Sequence, residues 1–198
     1  EYFERQNSER HRDERASKRA TLAGSEISRL ERMLNEVLSY ARPVELTTNE
    51  INLSEFLDAF ISTNDAMLQA KQQIFTVDKQ AHPNVVADRD KLNQICLNLA
   101  RNACDAAEPH KAIGWTLYEK DKLAILSIHN DGEYIPANKL AQITDAFVST
   151  KTRGTGLGLA IVKNLIEAQQ GNLKITSSPD AGTLISISLP LRDESASI

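Results

Sequence analysis

The sequence predicts an α+β fold: a two-layer α/β sandwich, a mixed sheet covered by helices, preceded by a helical hairpin segment. Strand-like stretches arrive as hairpins rather than through repeated crossover helices, which argues for a mixed sheet with helices on one face. Amphipathic helical stretches are interspersed with them. A charged, helix-patterned segment precedes the whole, and charge marks the boundary. Residues 1–44 hold 9 Lys/Arg and 8 Asp/Glu, whereas residues 45–198 hold 14 and 19. The expected domains are therefore a partial dimerisation hairpin at 1–44 and a globular body at 45–198.

Within the first segment, residues up to Arg19 are dominated by polar side chains and read as a solvated helix end plus a connection. From Leu22 the pattern changes. Ile27, Leu30, Leu34, Val37, Leu38 and Ala41 form one narrow stripe at helical spacing, flanked by Arg29, Glu31, Arg32 and Glu36. The helix should stop at Arg42, because Pro43 disfavours helix in the residue before it. Ala20 to Ala41 would span about 33 Å at 1.5 Å per residue. The stripe suits a bundle partner, and a homodimer is expected to cover it; a helix packed on its own domain is the plainer alternative.

In the body, Leu53 to Lys71 is amphipathic with Asn52 or Ser54 as N-cap. Short strands follow at Gln73–Val77 and Asn84–Ala87. Asp88 or Asp90 should start a helix running to about Ala107 and closed by Pro109. Hairpins are expected at Trp115–Tyr118 with Ala124–His129, and at Leu173–Ser177 with Thr183–Leu189. A helix from about Gly158 to Gln170 lies between them.

Composition narrows the function classes. With 41% hydrophobic and 25% charged residues, the chain suits a soluble globular protein. No apolar run approaches the roughly 18 residues a membrane-spanning helix needs, so no membrane contact is expected in this stretch. The net charge of −4 gives no reason to expect nucleic acid. Two cysteines fit a reducing, cytoplasmic setting rather than a disulfide scaffold. The chain begins at Glu1 with neither Met nor a signal-peptide pattern and is expected to be part of a longer protein.

Three stretches could carry chemistry. Gly154, Gly156 and Gly158 alternate in Lys151-Thr-Arg-Gly-Thr-Gly-Leu-Gly-Leu-Ala160, just ahead of an apolar helix. Alternating glycines let backbone approach a ligand, and the helix start offers N–H groups and a positive dipole end to phosphate. Lys151 and Arg153 add cations; alone, the run also fits a flexible loop. Asn98 and Asn102 lie four apart on one helix face in an otherwise apolar stretch. Asparagine is a mediocre helix former, and its amide oxygen can ligate Mg²⁺ or simply bond nearby backbone. Cys96 and Cys104, about 12 Å apart along that helix, are too distant to bridge. Finally, Asn130-Asp-Gly-Glu-Tyr-Ile-Pro136 ends a strand, where a side-chain carbonyl could accept from an adenine amino group.

In this order and at these spacings the pieces resemble the catalytic, ATP-binding domain of sensor histidine kinases. Its fold is the Bergerat ATP-binding fold, shared with some chaperones, topoisomerases and mismatch-repair ATPases. Asn98-Leu-Ala-Arg-Asn102-Ala is similar to the asparagine box and Asn130–Pro136 to the first glycine box. Phe147-Val-Ser-Thr150-Lys151 is similar to the phenylalanine box, and Gly154–Ala160 to the second glycine box. Residues 30–43 resemble the second helix of the family's dimerisation and phosphotransfer hairpin.

The resemblance implies ATP and Mg²⁺ as ligands, and a response regulator receiver domain as partner. Asn102 would ligate Mg²⁺ with Asn98 supporting it, and Asn102 and Lys151 would serve catalysis. Thr150, Lys151, Arg153, Gly154, Thr155, Gly156, Leu157 and Gly158 would surround the phosphates. Asn130, Gly132, Tyr134 and Thr183 would lie at the base.

Two positions depart from the pattern: Asn130 stands where the family has Asp, and Tyr134 where it has a second glycine. They favour the alternative of a degenerate signalling module that binds nucleotide weakly or not at all. Tyr134 must avoid positive φ or lie against the nucleotide. A third reading, a kinase or ATPase of this fold acting on serine or on ATP alone, is opposed by the bundle-type helix. None of His11, His82, His110 and His129 is followed by an acidic residue, as the family's phosphoacceptor is. The acceptor is therefore expected before Glu1, and the chain alone should bind Mg·ATP without phosphorylating itself.

Overall fold

The computed structural model describes residues 2–69, 73–108, 110–149, 151 and 154–192, with side chains from Ala16 onward except at 65–69. The expected ends at Lys71 and Pro109 lie outside the described residues. The chain divides into two compact units, Glu1–Ala41 and Arg42–Ile198.

The first unit is a single 40-residue helix, α1 (Tyr2–Ala41). Among the described residues the helix runs without a break, so the connection expected before Ala20 is not there. Residues 2–41 contain no proline, and Arg, Glu, Lys, Leu and Ala are strong helix formers, so nothing local interrupts the i→i−4 ladder. Its end falls just before Arg42-Pro43, as expected. Leu22, Ile27, Leu30, Leu34, Val37 and Leu38 are all exposed on the single chain. Gly24 meets no atom within 4 Å of where a Cβ would stand. Gly24→Ala should therefore raise helix stability by about 0.5–1 kcal/mol, read as increased helicity by circular dichroism on heating.

The second unit holds β1 (Asn49–Asn52), α2 (Leu53–Gln69), β2 (Ile74–Lys79), β3 (Asn84–Ala87) and α3 (Arg89–Ala106). These are followed by β4 (Ala112–Lys120), β5 (Leu123–Asn130), the short α4 (Ala137–Leu140), α5 (Gly158–Ala168), β6 (Asn172–Ser178) and β7 (Gly182–Pro190). The main sheet has the order β2-β4-β5-β7-β6. β2 and β4 run parallel, and the other pairs are antiparallel. β1 pairs with β3 in a separate two-stranded ribbon.

Alternation sorts the sheet's two faces. Ile113, Trp115 and Leu117 on β4, Ala124, Leu126 and Ile128 on β5, and Ile185, Ile187 and Leu189 on β7 are buried in one core. Phe56, Leu57 and Phe60 of α2, Leu92, Ile95, Cys96 and Leu99 of α3, and Ile161, Val162 and Leu165 of α5 complete it. The other face carries residues such as Thr116, His129 and the Ser127–Ser186 hydroxyl pair at 2.8 Å. This is the expected two-layer α+β architecture.

Local chemistry explains the boundaries. Asn52, rather than Ser54, caps α2: its Oδ1 accepts from the N–H groups of Ser54 and Glu55 at 3.1 Å. The β4–β5 turn needs only Asp121 and Lys122, at φ 51° and 60°, so both strands run longer than the sequence suggested. Gln73, at the entrance to β2, donates its Nε2 to the carbonyls of Cys104 and Ala107 and so ties off the end of α3. Cys96 and Cys104 are buried thiols, not joined in a disulfide; burial pushes Cys96 up to about 12.

Asp88 caps α3. Its Oδ1 accepts from Asp90 and Lys91 N–H at 3.0 Å, and its Oδ2 from Thr47 N–H at 2.7 Å. Burial alone would raise its pKa; the backbone donors of Thr47, Lys91 and Asp90, with the Lys91 charge, outweigh it and hold the carboxyl below its ordinary 3.8. The unfolded chain therefore takes up this proton first as pH falls, so Asp88 stabilises at neutral pH and loses that contribution on acidification below about pH 5. Asp88→Ala should cost about 1–2 kcal/mol at pH 7. The gap to the parent should narrow toward pH 3, measured as urea unfolding midpoints.

Candidate functional site

Asn98 and Asn102 stand one turn apart on α3, both half-buried. The chain returns to this helix through the glycine run. A Cβ at Gly158, the first residue of α5, would lie 3.7 Å from Asn102 Nδ2, so the backbone opening α5 passes against the Asn102 amide. Lys151 Nζ reaches the same amide, 3.5 Å from Asn102 Oδ1, and lies 3.4 Å from Asp105 Oδ2. Asp105 is a residue the sequence reading passed over; its i+3 spacing from Asn102 was the available signal.

The loop between is tightly folded. Gly156 has φ +71°, and its carbonyl accepts from Phe147 N–H at 3.1 Å. Ser149 Oγ accepts from Lys151 N–H at 3.0 Å, and Gly154 N–H donates to the Lys151 carbonyl at 3.3 Å. Thr155 Oγ1 accepts from Leu157 N–H at 3.3 Å. The Leu157 side chain is buried and anchors the loop in the core. No side chain caps the start of α5, which leaves its first N–H groups to a ligand or water. Thr150 and Arg153 lie outside the described residues.

A second group forms where β5 and β7 end. Asn130 and Thr183 are Cα partners across the strands, and both are buried. They continue the inward rows of Ala124, Leu126 and Ile128 and of Ile185, Ile187 and Leu189, so both belong to the helix-covered face. Thr183 Oγ1 is 2.7 Å from Ser177 Oγ, which also accepts from Ile135 N–H at 2.8 Å. Ser177 has no motif of its own; the β6–β7 register alone delivers it. A Cβ at Gly132 would run into the carbonyl of Ala106, so only glycine lets this loop lie against the end of α3. Tyr134 has no positive φ, and its side chain is half-exposed. Asp131 points the other way, 3.5 Å from His129 Nε2. A separate cavity of about 280 Å³, lined by residues including Val86, Gln169 and Arg192, contains none of these candidates.

The family described as histidine kinase-, DNA gyrase B- and HSP90-like ATPases matches residues 87–193, more than half of the 198-residue chain. The chain belongs to this family. Among curated relatives, sensor histidine kinase ZraS of Escherichia coli (strain K12) is 31% identical over 174 residues, covering 87% of this chain and 37% of the relative. The chain thus spans well under half the length of this relative. Histidine kinase ThkA, solved in complex with response regulator protein TrrA, superposes with a TM-score of 0.74 at 25% identity, covering 85% of this chain and 49% of that one. Full-length ShkA in complex with AMPPNP gives a TM-score of 0.73 at 26% identity, covering 82% and 36% respectively.

The site's residues fit a nucleotide-borne Mg²⁺. Among the described residues no group of three or more His, Cys, Asp or Glu could cage a metal ion. Mg²⁺ keeps water and phosphate oxygens as most of its shell and needs few protein ligands. Asn102 Oδ1 is a hard, neutral oxygen at the mouth of the glycine loop, and the ammonium now beside it marks a position where positive charge is accommodated.

Proposed function

We propose that this chain is the ATP-binding catalytic region of a sensor histidine kinase. It would transfer the γ-phosphoryl of Mg·ATP to a histidine and thence to an aspartate of a response regulator. The observation that carries the reading is the approach of the glycine loop to the asparagine helix, with Gly158 and Lys151 both at the Asn102 amide. Family membership supports it, as do curated relatives that are named kinases, and the degenerate alternative is not favoured.

In this reading Asn102 holds Mg²⁺, which would neutralise charge on the phosphates, and Asn98 supports the same helix face. Lys151 leaves Asp105 for the phosphates. Arg153, Thr150 and the backbone of Gly154, Thr155, Gly156 and Leu157 surround them, and the N–H groups opening α5 donate to their oxygens. Asn130, Gly132, Tyr134 and Thr183 form the base end. Phosphoryl transfer needs positioning and charge neutralisation more than covalent participation by the protein, so no nucleophile is required from this body. The acceptor is a histidine other than His11, His82, His110 and His129.

Residues 1–44 act as part of the dimerisation hairpin and 45–198 as the catalytic domain. The exposed α1 stripe pairs with a second copy, and the partner in transfer is a receiver domain. Among the described residues no helix is long and apolar enough to cross a membrane, and two cysteines outside any disulfide support a cytoplasmic setting.

Calorimetric titration with ATP, with and without Mg²⁺, tests the binding. Saturable, Mg²⁺-dependent binding is expected, and none at millimolar ATP would overturn the reading. In a form that also carries the acceptor histidine, labelled phosphate should be acid-labile; acid-stable label would indicate a serine kinase instead.

A further inference from the structure

The base end of the site contains one donor that nothing in the protein uses. Asn130 is 4% exposed, and its Nδ2 has no hydrogen-bond partner. The polar groups beside it are committed. Ser177 Oγ donates to the Gly182 carbonyl at 3.2 Å and accepts from Ile135 N–H, so the Thr183 hydroxyl proton is the one that closes the 2.7 Å contact between the two side chains. Asp131, the nearest carboxylate in sequence, is exposed and lies 3.5 Å from His129 Nε2. An unpartnered buried N–H costs free energy until a ligand acceptor meets it, and this one sits where the apolar core row along β5 ends.

An amide offers one donor and one acceptor side by side, whereas a carboxylate offers acceptors only. The adenine edge carries a 6-amino donor next to the N1 acceptor. The 6-oxopurine edge carries the reverse pair, an O6 acceptor next to an N1–H donor. Rotation of the amide by 180° exchanges its own pair, so the same side chain matches both edges with two direct hydrogen bonds. A carboxylate meets only the donor of either edge, the 6-amino group or N1–H, and sets its second oxygen against the neighbouring acceptor.

We propose that Asn130 sets the base selectivity of this site, reading the purine's N1–C6 edge through both amide atoms and admitting 6-oxopurine triphosphates alongside ATP. The proposal rests on the nucleotide-binding reading above and deepens it.

The test is calorimetric titration of the chain with Mg·ATP, Mg·ITP and the triphosphate of purine riboside, which lacks any 6-substituent. ITP is the appropriate probe because hypoxanthine has O6 and N1–H but no 2-amino group, so only the edge facing the amide changes. Expected are an ITP affinity within about tenfold of that for ATP and weaker binding of the purine riboside triphosphate than of either. Asn130→Asp, left with one matched bond to either edge, should weaken ATP and ITP alike, by about tenfold. The nucleotide series on the unaltered chain decides the matter even if the buried carboxylate impairs folding. ATP binding with ITP rejected more than tenfold would overturn the selectivity proposal and leave the ATP reading standing. Failure of both nucleotides to bind a folded chain would overturn both.

Discussion

Asn102→Ala is expected to remove the Mg²⁺-dependent part of nucleotide affinity while leaving the fold intact. Alanine is the better helix former, and Asn102 is half-buried on the outer part of α3 rather than in the core row of Leu92, Ile95 and Leu99. The packing of α3 therefore survives, and what disappears is one hard oxygen beside Lys151 and Gly158. In Mg²⁺ the affinity for ATP should fall more than tenfold, about 1.4 kcal/mol or more. In EDTA parent and variant should bind alike. Asn98→Ala, one turn further from the loop, should lose much less. If Asn102→Ala stays within about threefold, or about 0.7 kcal/mol, the metal assignment is wrong.

Gly156→Ala should be the more disruptive of two superficially similar glycine changes. At φ +71° an alanine costs about 1–2 kcal/mol, and its Cβ would lie 2.5 Å from the Phe147 carbonyl carbon and 2.7 Å from Val148 N. Both are backbone atoms, so the strain is relieved only by opening the Phe147–Gly156 hydrogen bond. The loop then withdraws from Asn102, and Mg·ATP affinity should fall tenfold or more. Global stability, read by urea unfolding, should drop by only about 1–3 kcal/mol, because the core beneath is untouched. Gly158→Ala places its Cβ at ordinary contact distance from Asn102; it should fold normally and affect affinity alone. Equal ATP affinity in Gly156→Ala and the parent would remove the glycine loop from the site.

Much of this was readable one residue at a time. The caps of α2 and α3, the stop before Pro43 and the inward rows of β4, β5 and β7 follow from local chemistry and periodicity. The second glycine box announced an α5 start that no side chain caps. Other features were not readable because their causes are distant in sequence. The break expected near Arg19 rested on a change in hydrophobic pattern, but backbone propensity alone keeps α1 helical through it. The β1 strand is four residues long and exists through its pairing with β3. The parallel pairing of β2 with β4 likewise depends on α3 carrying the chain between them.

The sequence by itself determined which elements form, which faces of them are apolar, and which residue types are available for phosphate, metal and base. Those outcomes depend on neighbours within a few residues. Only the tertiary structure decided what the polar residues do with one another. It brings Lys151 to Asn102 and Asp105 from 49 and 46 residues away. It also sets Asn130 opposite Thr183, and Ser177 behind them both. Strand register and helix packing make those meetings, and the same register commits the Thr183 hydroxyl while leaving the Asn130 amide a donor without a partner.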